Sequence, residues 1–144
     1  MEQRLNFISL GVRDVSRSRD FYVTGLGCEA RLDVPGEVIF LQVNHGLILS
    51  LWDRAAMAAE LGTDPAALDA CPIPPVTLSH NVSSPEAVDA VVGQARKAGA
   101  AVVRDPARQS WGGYSGYFAD PDGFRWEVAY NPTWDVDDTG RVTV

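Results

Sequence analysis

The chain has 144 residues, of which 46% are hydrophobic and 22% are charged, and this composition is ordinary for one globular domain. It excludes disordered, collagen-like and coiled-coil chains. The 12 basic and 19 acidic residues give a net charge of −7. We therefore expect no nucleic acid and no membrane as a partner, because nucleic acids and anionic membranes both bind basic surfaces.

The sequence shows no targeting or membrane segment. No apolar run approaches the roughly 20 residues of a membrane helix, and no basic segment followed by an apolar run opens the chain. Cys28 and Cys71 make no disulfide framework and form no C-x-x-C motif. We therefore expect a single cytoplasmic domain over residues 1–144.

The first half, residues 5–52, predicts the order β-α-β-β-β. Its predicted helix follows the first strand, with Ser16 as the N-cap and with Phe21, Tyr22 and Leu26 facing the core. Asn44-His45-Gly46 is a hairpin signal between the last two strands. The predicted strands cover residues 5–12, 31–34, 37–43 and 47–52.

The second half, residues 76–130, repeats this order. Ser84 and Pro85 predict the N-cap and first position of a helix, and Asp120-Pro-Asp-Gly123 predicts a tight turn. The predicted strands cover residues 76–82, 101–104, 114–119 and 124–130. Between the halves, the linker 53–75 is first Ala-rich, which predicts short helices, and then Pro-rich. The tail 131–144 is acidic and is expected to be irregular.

The two halves align without gaps over their central strands. Residues 7–12 fall on residues 77–82, and residues 36–52 fall on residues 113–129, so that Gly46 meets Gly123 and Ser50 meets Glu127. Self-similarity at this length indicates two copies of one supersecondary unit.

Two motifs point to a known family. They are Phe118-Ala-Asp-Pro-Asp-Gly123 leading into Trp126-Glu-Val128, and Leu10-Gly-Val-Arg-Asp14 leading into residues 18–27. With the duplicated unit, they resemble the vicinal oxygen chelate superfamily, which includes glyoxalase I, extradiol dioxygenases and bleomycin-resistance proteins. The resemblance covers residues 5–130. It implies an α+β fold of two curled mixed sheets, a ligand on their concave face (the cup), and a homodimer.

The resemblance also implies four metal-ligand positions, which fall on Phe7, Ser50, Thr77 and Glu127. Of these only Glu127 is a strong ligand, because phenylalanine has no donor atom and hydroxyl groups bind divalent cations poorly. The expected cofactor is therefore none. A divalent metal ion (Zn, Ni, Fe or Mn) remains the alternative.

His80 decides how plausible that alternative is. Strand alternation places His80 with Leu78 on the face opposite Ser79, where it would be a hydrogen-bonded core histidine. A β-bulge would instead turn it toward Glu127. In that case His80 and Glu127 are the candidate metal ligands.

The remaining candidates are residues expected to line the cup. Glu127 is the candidate catalytic residue, as a general base, a ligand contact or the remnant of a metal site, and the alternative is an ion pair with Arg125. The Trp111-Gly-Gly-Tyr114 segment precedes a strand of the cup, where its aromatic rings either stack on a planar ligand or pack in a turn. The expected ligand-binding residues are Phe7, Ser9, Ser50, Trp52, Thr77, Ser79, Asn81, Trp111, Tyr114 and Arg125.

Three functions remain open from the sequence. The first is binding of a small organic molecule without a full metal site, which resembles the bleomycin-resistance branch. The second is a metal-dependent lyase, isomerase or dioxygenase, in which the ion polarises a substrate oxygen. The third is metal-free acid–base catalysis by Glu127. Whether the protein is an enzyme is left open.

Overall fold

The computed structural model describes residues 2, 4–69 and 73–143. Cys71 and residues 70–72 of the predicted linker lie outside these ranges. The chain separates into two compact units, residues 1–72 and 73–144. Among the described residues, no helix has the length and apolar character needed to cross a membrane.

The first unit is a mixed four-stranded sheet in the order β1-β4-β3-β2, with β1 parallel to β4 and the other pairs antiparallel. Its helix α1 continues directly into a π-helical segment, and a short 3-10 helix follows α2 at Pro65–Asp69. The elements are β1 (Phe7–Val12), α1 (Val15–Arg19), the π-helix (Asp20–Gly25), β2 (Ala30–Val34), β3 (Val38–Asn44), β4 (Leu47–Asp53) and α2 (Arg54–Leu61).

The N-cap of α1 differs from the sequence prediction. Asp14, not Ser16, has the extended backbone of a cap, and its carboxylate accepts the N–H groups of Ser16 and Arg17 at 2.9 and 3.2 Å. A carboxylate in this position satisfies two free helix donors and interacts favourably with the helix dipole. As predicted, Phe21 and Tyr22 are buried, whereas Leu26 is only half-buried.

The second unit repeats the topology, with strand order β5-β8-β7-β6 and the parallel pair again formed by the first and last strands. The predicted Ser84 N-cap and the Pro85 helix start are confirmed, because the Ser84 hydroxyl accepts the Ala87 N–H at 3.2 Å. The elements are β5 (Thr77–Asn81), α3 (Pro85–Lys97), β6 (Ala101–Arg108), β7 (Tyr114–Ala119), β8 (Arg125–Tyr130), β9 (Asp135–Val136) and β10 (Val142–Thr143).

Two predictions for the second unit are wrong. Strand β6 runs four residues beyond the predicted end at Arg104, through Pro106. Proline is tolerated there because β6 is an edge strand of the sheet. The tail is not irregular throughout, since β9 and β10 form a small antiparallel ribbon. The Asp137 carboxylate closes its turn by accepting the N–H groups of Thr139 and Arg141 at 2.8 and 3.0 Å.

Each sheet buries one face. In the first unit Ile39 and Leu51 are fully buried, and in the second Val128 is fully buried where α3 packs through Val88 and Val92. The Tyr114 hydroxyl donates to Asp89 of α3, which identifies the α3 side of the second sheet. The predicted α+β fold of two β-α-β-β-β units with mixed four-stranded sheets is confirmed.

Candidate functional site

A row of four polar side chains crosses the second sheet. Strand pairing places Ser79 beside Glu127, Glu127 beside Tyr117, and Tyr117 beside Arg104. Because directly paired residues lie on the same face of a sheet, all four side chains share one face. This face is opposite the one that carries Tyr114 and packs on α3, since side chains alternate along a strand.

The Glu127 carboxylate is held by its two neighbours in this row. The Ser79 hydroxyl donates to Oε2 at 3.1 Å, and the Tyr117 hydroxyl donates to Oε1 through a short hydrogen bond. Among the described residues, its bonded partners are these hydroxyl groups and not Arg125, the ion-pair alternative considered from the sequence. Glu127 is half-buried, so these bonds offset part of the cost of removing a charge from water.

The Tyr117 hydroxyl is the donor in its hydrogen bond with Glu127. The hydrogen bond to Glu127 is the main cause that raises the pKa of the Tyr117 hydroxyl above its ordinary value, with partial burial and the Glu127 charge adding to it and Arg104 opposing it. The phenol therefore keeps its proton near neutral pH, so that its hydroxyl donates to the carboxylate.

An open cavity of about 620 Å³ lies over this face. Strands β5 and β8 form its floor, Trp111 from the β6–β7 connection forms one wall, and the chain after β8 forms another. Glu127 is the one ionisable side chain of its lining. The lining residues are Ser79, Asn81, Trp111, Glu127, Ala129, Asn131, Thr133 and Trp134.

Trp111 lies directly over Gly113. A Cβ atom built on Gly113 would come within 1.6 Å of the Trp111 ring, so the indole occupies the space that any other side chain at this position would need. Gly113 is buried and Trp111 is 51% exposed. The glycine therefore permits the close approach of the ring that forms the wall of the cavity.

The structure gathers four of the predicted site residues around this cavity, namely Ser79, Asn81, Trp111 and Glu127. Thr77 and Arg125 are paired with each other on the same face but lie outside the lining. Tyr114 lies on the opposite face, where its hydroxyl donates to Asp89 at 3.0 Å.

The other four predicted ligand-binding residues belong to the first unit. Ser50 is almost completely buried, and Ser9, its partner on β1, is exposed. Phe7 packs edge-to-face on Phe40, with ring centroids 5.4 Å apart. Trp52 is half-buried and shares the face of Ser50 by alternation.

His80 and Glu127 are not brought together. The β5–β8 register runs without a shift from Thr77 to Asn81, so no bulge turns His80 toward the row. His80 pairs with Val128, on the opposite face from Glu127. His80 is exposed, so the prediction of a core histidine is wrong. Desolvation of the imidazole still lowers its pKa, which favours the neutral form.

The side chains around Glu127 do not provide the metal-ligating atoms that the family resemblance implies. The hydrogen-bonded neighbours of Glu127 are hydroxyl groups, which are poor ligands for divalent transition metals. Across residues 2, 4–69 and 73–143, no group of three or more His, Cys, Asp or Glu side chains is placed to hold a metal ion.

Sequence reasoning missed two important members of the site. Tyr117 aligns with Phe40 in the repeat and faces Glu127 across the hairpin, so counting residues outward from the Asp120–Gly123 turn would have found it. Trp134 lies after the last strand of the repeat, and no pattern in the sequence connects it to the cavity. Missed lining residues are Ala129, Asn131, Thr133 and Trp134.

Comparison with known proteins identifies the class. Residues 4–128 match the model of the Glyoxalase/Bleomycin resistance protein/Dioxygenase superfamily, and the chain therefore belongs to this family. No curated protein matches the chain significantly.

Solved structures agree with this assignment. A glyoxalase-related enzyme from Fulvimarina pelagi is 32% identical, with a TM-score of 0.88 and coverage of 99% of this chain and 98% of that one. A glyoxalase/bleomycin resistance protein/dioxygenase from Nocardioides is 27% identical, with a TM-score of 0.74 and coverage of 90% and 84%. A lactoylglutathione lyase from Agrobacterium tumefaciens shares the fold, at 20% identity, a TM-score of 0.65 and coverage of 90% and 94%.

Proposed function

We propose that this protein binds a small organic molecule in the cavity of its second unit without using a metal ion. The observation that carries this proposal is the Glu127 carboxylate, fixed by Ser79 and Tyr117 on the floor of a cavity that two indole rings help to wall. A cavity of this size with aromatic walls and a few convergent polar groups is typical of small-molecule sites.

The row also supports the metal-free part of the proposal. Two oxygen atoms of Glu127 are already engaged by hydroxyl donors, and neither hydroxyl is a strong metal ligand. The alternative, a metal-dependent lyase, isomerase or dioxygenase, would need His80 and Glu127 in one coordination sphere, and these side chains lie on opposite faces.

Two finer properties rest on family resemblance and on a cysteine content that makes no disulfide framework. We propose that the protein is a homodimer and that it is cytoplasmic. Light scattering after size-exclusion chromatography tests the first property, with twice the chain mass of 15.6 kDa expected. Cell fractionation with an antibody to the protein tests the second.

The first experiment measures metal content and ligand binding together. Protein purified without chelator is analysed for Zn, Ni, Fe and Mn, and well under one equivalent per chain is expected. Naphthalene-2-carboxamide is then titrated while backbone amide signals are followed by NMR. The expected shifts are confined to residues around the cavity, including Ser79, Asn81, Glu127 and Trp134.

Two results would contradict the proposal. One tight equivalent of metal per chain would favour the metal-dependent alternative, and the Glu127→Gln variant would then show whether Glu127 is a ligand. Shifts confined to the first unit would reject the cavity as the binding site, and so would the absence of shifts with this amide and with its cationic and anionic analogues of the same shape. Turnover in a screen of lactoylglutathione formation and epimerase substrates, lost in Glu127→Gln, would show acid–base catalysis instead of simple binding.

A further inference from the structure

The charge of the cavity restricts what it can bind. Glu127 is the one ionisable residue of the lining, and the other polar side-chain groups there are neutral hydroxyls, amides and indole N–H groups. An anionic ligand would approach this carboxylate in a partly enclosed space, where like charges repel more strongly than in water. The cations on the same face, Arg104 and Arg125, lie outside the lining.

The hydrogen bonds of Glu127 give a second restriction. A carboxylate offers about four acceptor positions, and Ser79 and Tyr117 occupy one on each oxygen. Because both partners donate, Glu127 is an acceptor in both bonds. A carboxylate carries no proton to donate, so its remaining positions also accept hydrogen bonds. A ligand that reaches Glu127 must therefore donate, and a positively charged donor makes the strongest such bond.

The walls give a third restriction. The indoles of Trp111 and Trp134 present large flat surfaces, on which planar rings stack and organic cations are attracted to the negative ring face. The position of the Trp111 ring depends on Gly113, because any Cβ at this residue would collide with it.

We propose that the ligand of this cavity is a planar organic cation of the aromatic amidine class, whose N–H groups donate to Glu127 while its ring contacts the two indoles. This inference rests on the proposed function and narrows it. It predicts that charge, rather than size or shape, dominates the choice among ligands of equal dimensions.

Three probes of nearly equal shape test the preference for charge. Naphthalene-2-carboxamidine is cationic, naphthalene-2-carboxamide is neutral and naphthalene-2-carboxylate is anionic. Binding is measured by NMR titration. For the native protein we expect the amidine to bind about tenfold more tightly than the amide, and the carboxylate to bind most weakly.

Variants then separate the contributions of the site. Glu127→Gln keeps the side-chain shape and removes the charge, so the preference for the amidine over the amide should fall to within about threefold. Glu60→Gln, at an exposed position of α2, removes the same charge elsewhere and should leave the preference intact. Gly113→Ala should weaken all three probes while the melting temperature is retained, because the exposed Trp111 ring can swing away.

The outcomes distinguish this inference from the proposed function. If all three probes shift the cavity residues with equal affinity, or if the carboxylate binds most tightly, the ligand class is wrong while binding in the cavity stands. If the preference for the amidine persists in Glu127→Gln, the role of this carboxylate is wrong. If none of the probes shifts cavity residues, both proposals fail.

Discussion

The two sheets of this protein have the same topology and the same strand pairing around one row of side chains, but the residues of that row differ. Both contain a register shift at the same point of their edge pair, between Ala30 and Leu32 in the first and between Val102 and Arg104 in the second. The row of the first sheet is Ser9, Ser50, Phe40 and Leu32, and the corresponding row of the second is Ser79, Glu127, Tyr117 and Arg104.

The difference shows that the fold and the site use opposite faces of the same strands. Leu51 and Val128, which correspond in the repeat, are both completely buried on the core side. On the other side, the change from Ser50 to Glu127 and from Phe40 to Tyr117 replaces a weakly polar row by a hydrogen-bonded one. The two units are therefore alike at these buried positions and differ on the opposite face.

The largest expected effect is on the free energy of unfolding, and it comes from the buried face that both sheets share. Leu51→Ala should lower the free energy of unfolding by about 2–5 kcal/mol, since it removes buried methyl groups and leaves a cavity. Ser9→Ala, at an exposed position of the neighbouring strand β1, should change it by less than about 0.5 kcal/mol. Urea unfolding measures both variants. Equal effects would show that the two faces of the first sheet do not differ as described.

The next effect concerns the turns that close the two hairpins. In the second unit, Asp120 is 4% exposed and accepts the N–H groups of Asp122 and Phe124, each at 2.9 Å. Asp120→Ala should cost about 1–3 kcal/mol, because these donors lose their acceptor. The matched position in the first unit is Val43, which is exposed, and Val43→Ala should be neutral within about 0.5 kcal/mol. Chemical denaturation measures the free energy of unfolding of both variants. A larger loss in Val43→Ala than in Asp120→Ala would contradict this comparison of the two turns.

A smaller effect is expected from exchanging the aromatic residues of the two rows. Tyr117→Phe copies the first unit and removes one hydrogen bond to Glu127, which should cost about 0.5–1.5 kcal/mol because water reaches the half-buried carboxylate. Phe40→Tyr copies the second unit and should be neutral within about 0.5 kcal/mol. A destabilising Phe40→Tyr together with a neutral Tyr117→Phe would show that the hydroxyl of Tyr117 is not held as described.

The smallest expected effect is on the pH dependence of stability. His80 corresponds to Leu10 in the repeat, and desolvation lowers the pKa of its imidazole below the ordinary value of 6.5 although the side chain is exposed. The unfolded chain therefore takes up a proton more readily than the folded one, so stability is lost as the pH falls below 6.5 toward the folded pKa. His80→Leu should reduce the fall in melting temperature between about pH 7 and pH 5.

His45 provides the control for this measurement, because it lies exposed in the turn between β3 and β4. His45→Gln should leave the fall in melting temperature as it is in the native protein. A fall that is unchanged in His80→Leu would mean that other groups cause the acid sensitivity.

Most of the fold could be predicted because its signals are local. The Asp120–Gly123 turn, the Ser84-Pro85 helix start and the alternation in the strands each depend on a few neighbouring residues. The π-helical segment after α1 and the extension of β6 through Pro106 carried no such signal. The Asp14 cap could have been recognised, since aspartate is as good an N-cap as serine.

The site was predictable only in part. The sequence by itself determined the duplicated pattern, the face on which Glu127 lies and the presence of Ser79 and Asn81 beside it, because alternation along a strand is a local property. Only the tertiary structure decided that Tyr117 holds the carboxylate, that Trp111 lies over Gly113 and that Trp134 walls the cavity. These contacts depend on the register between strands and on the path of the chain after β8, which long-range packing fixes.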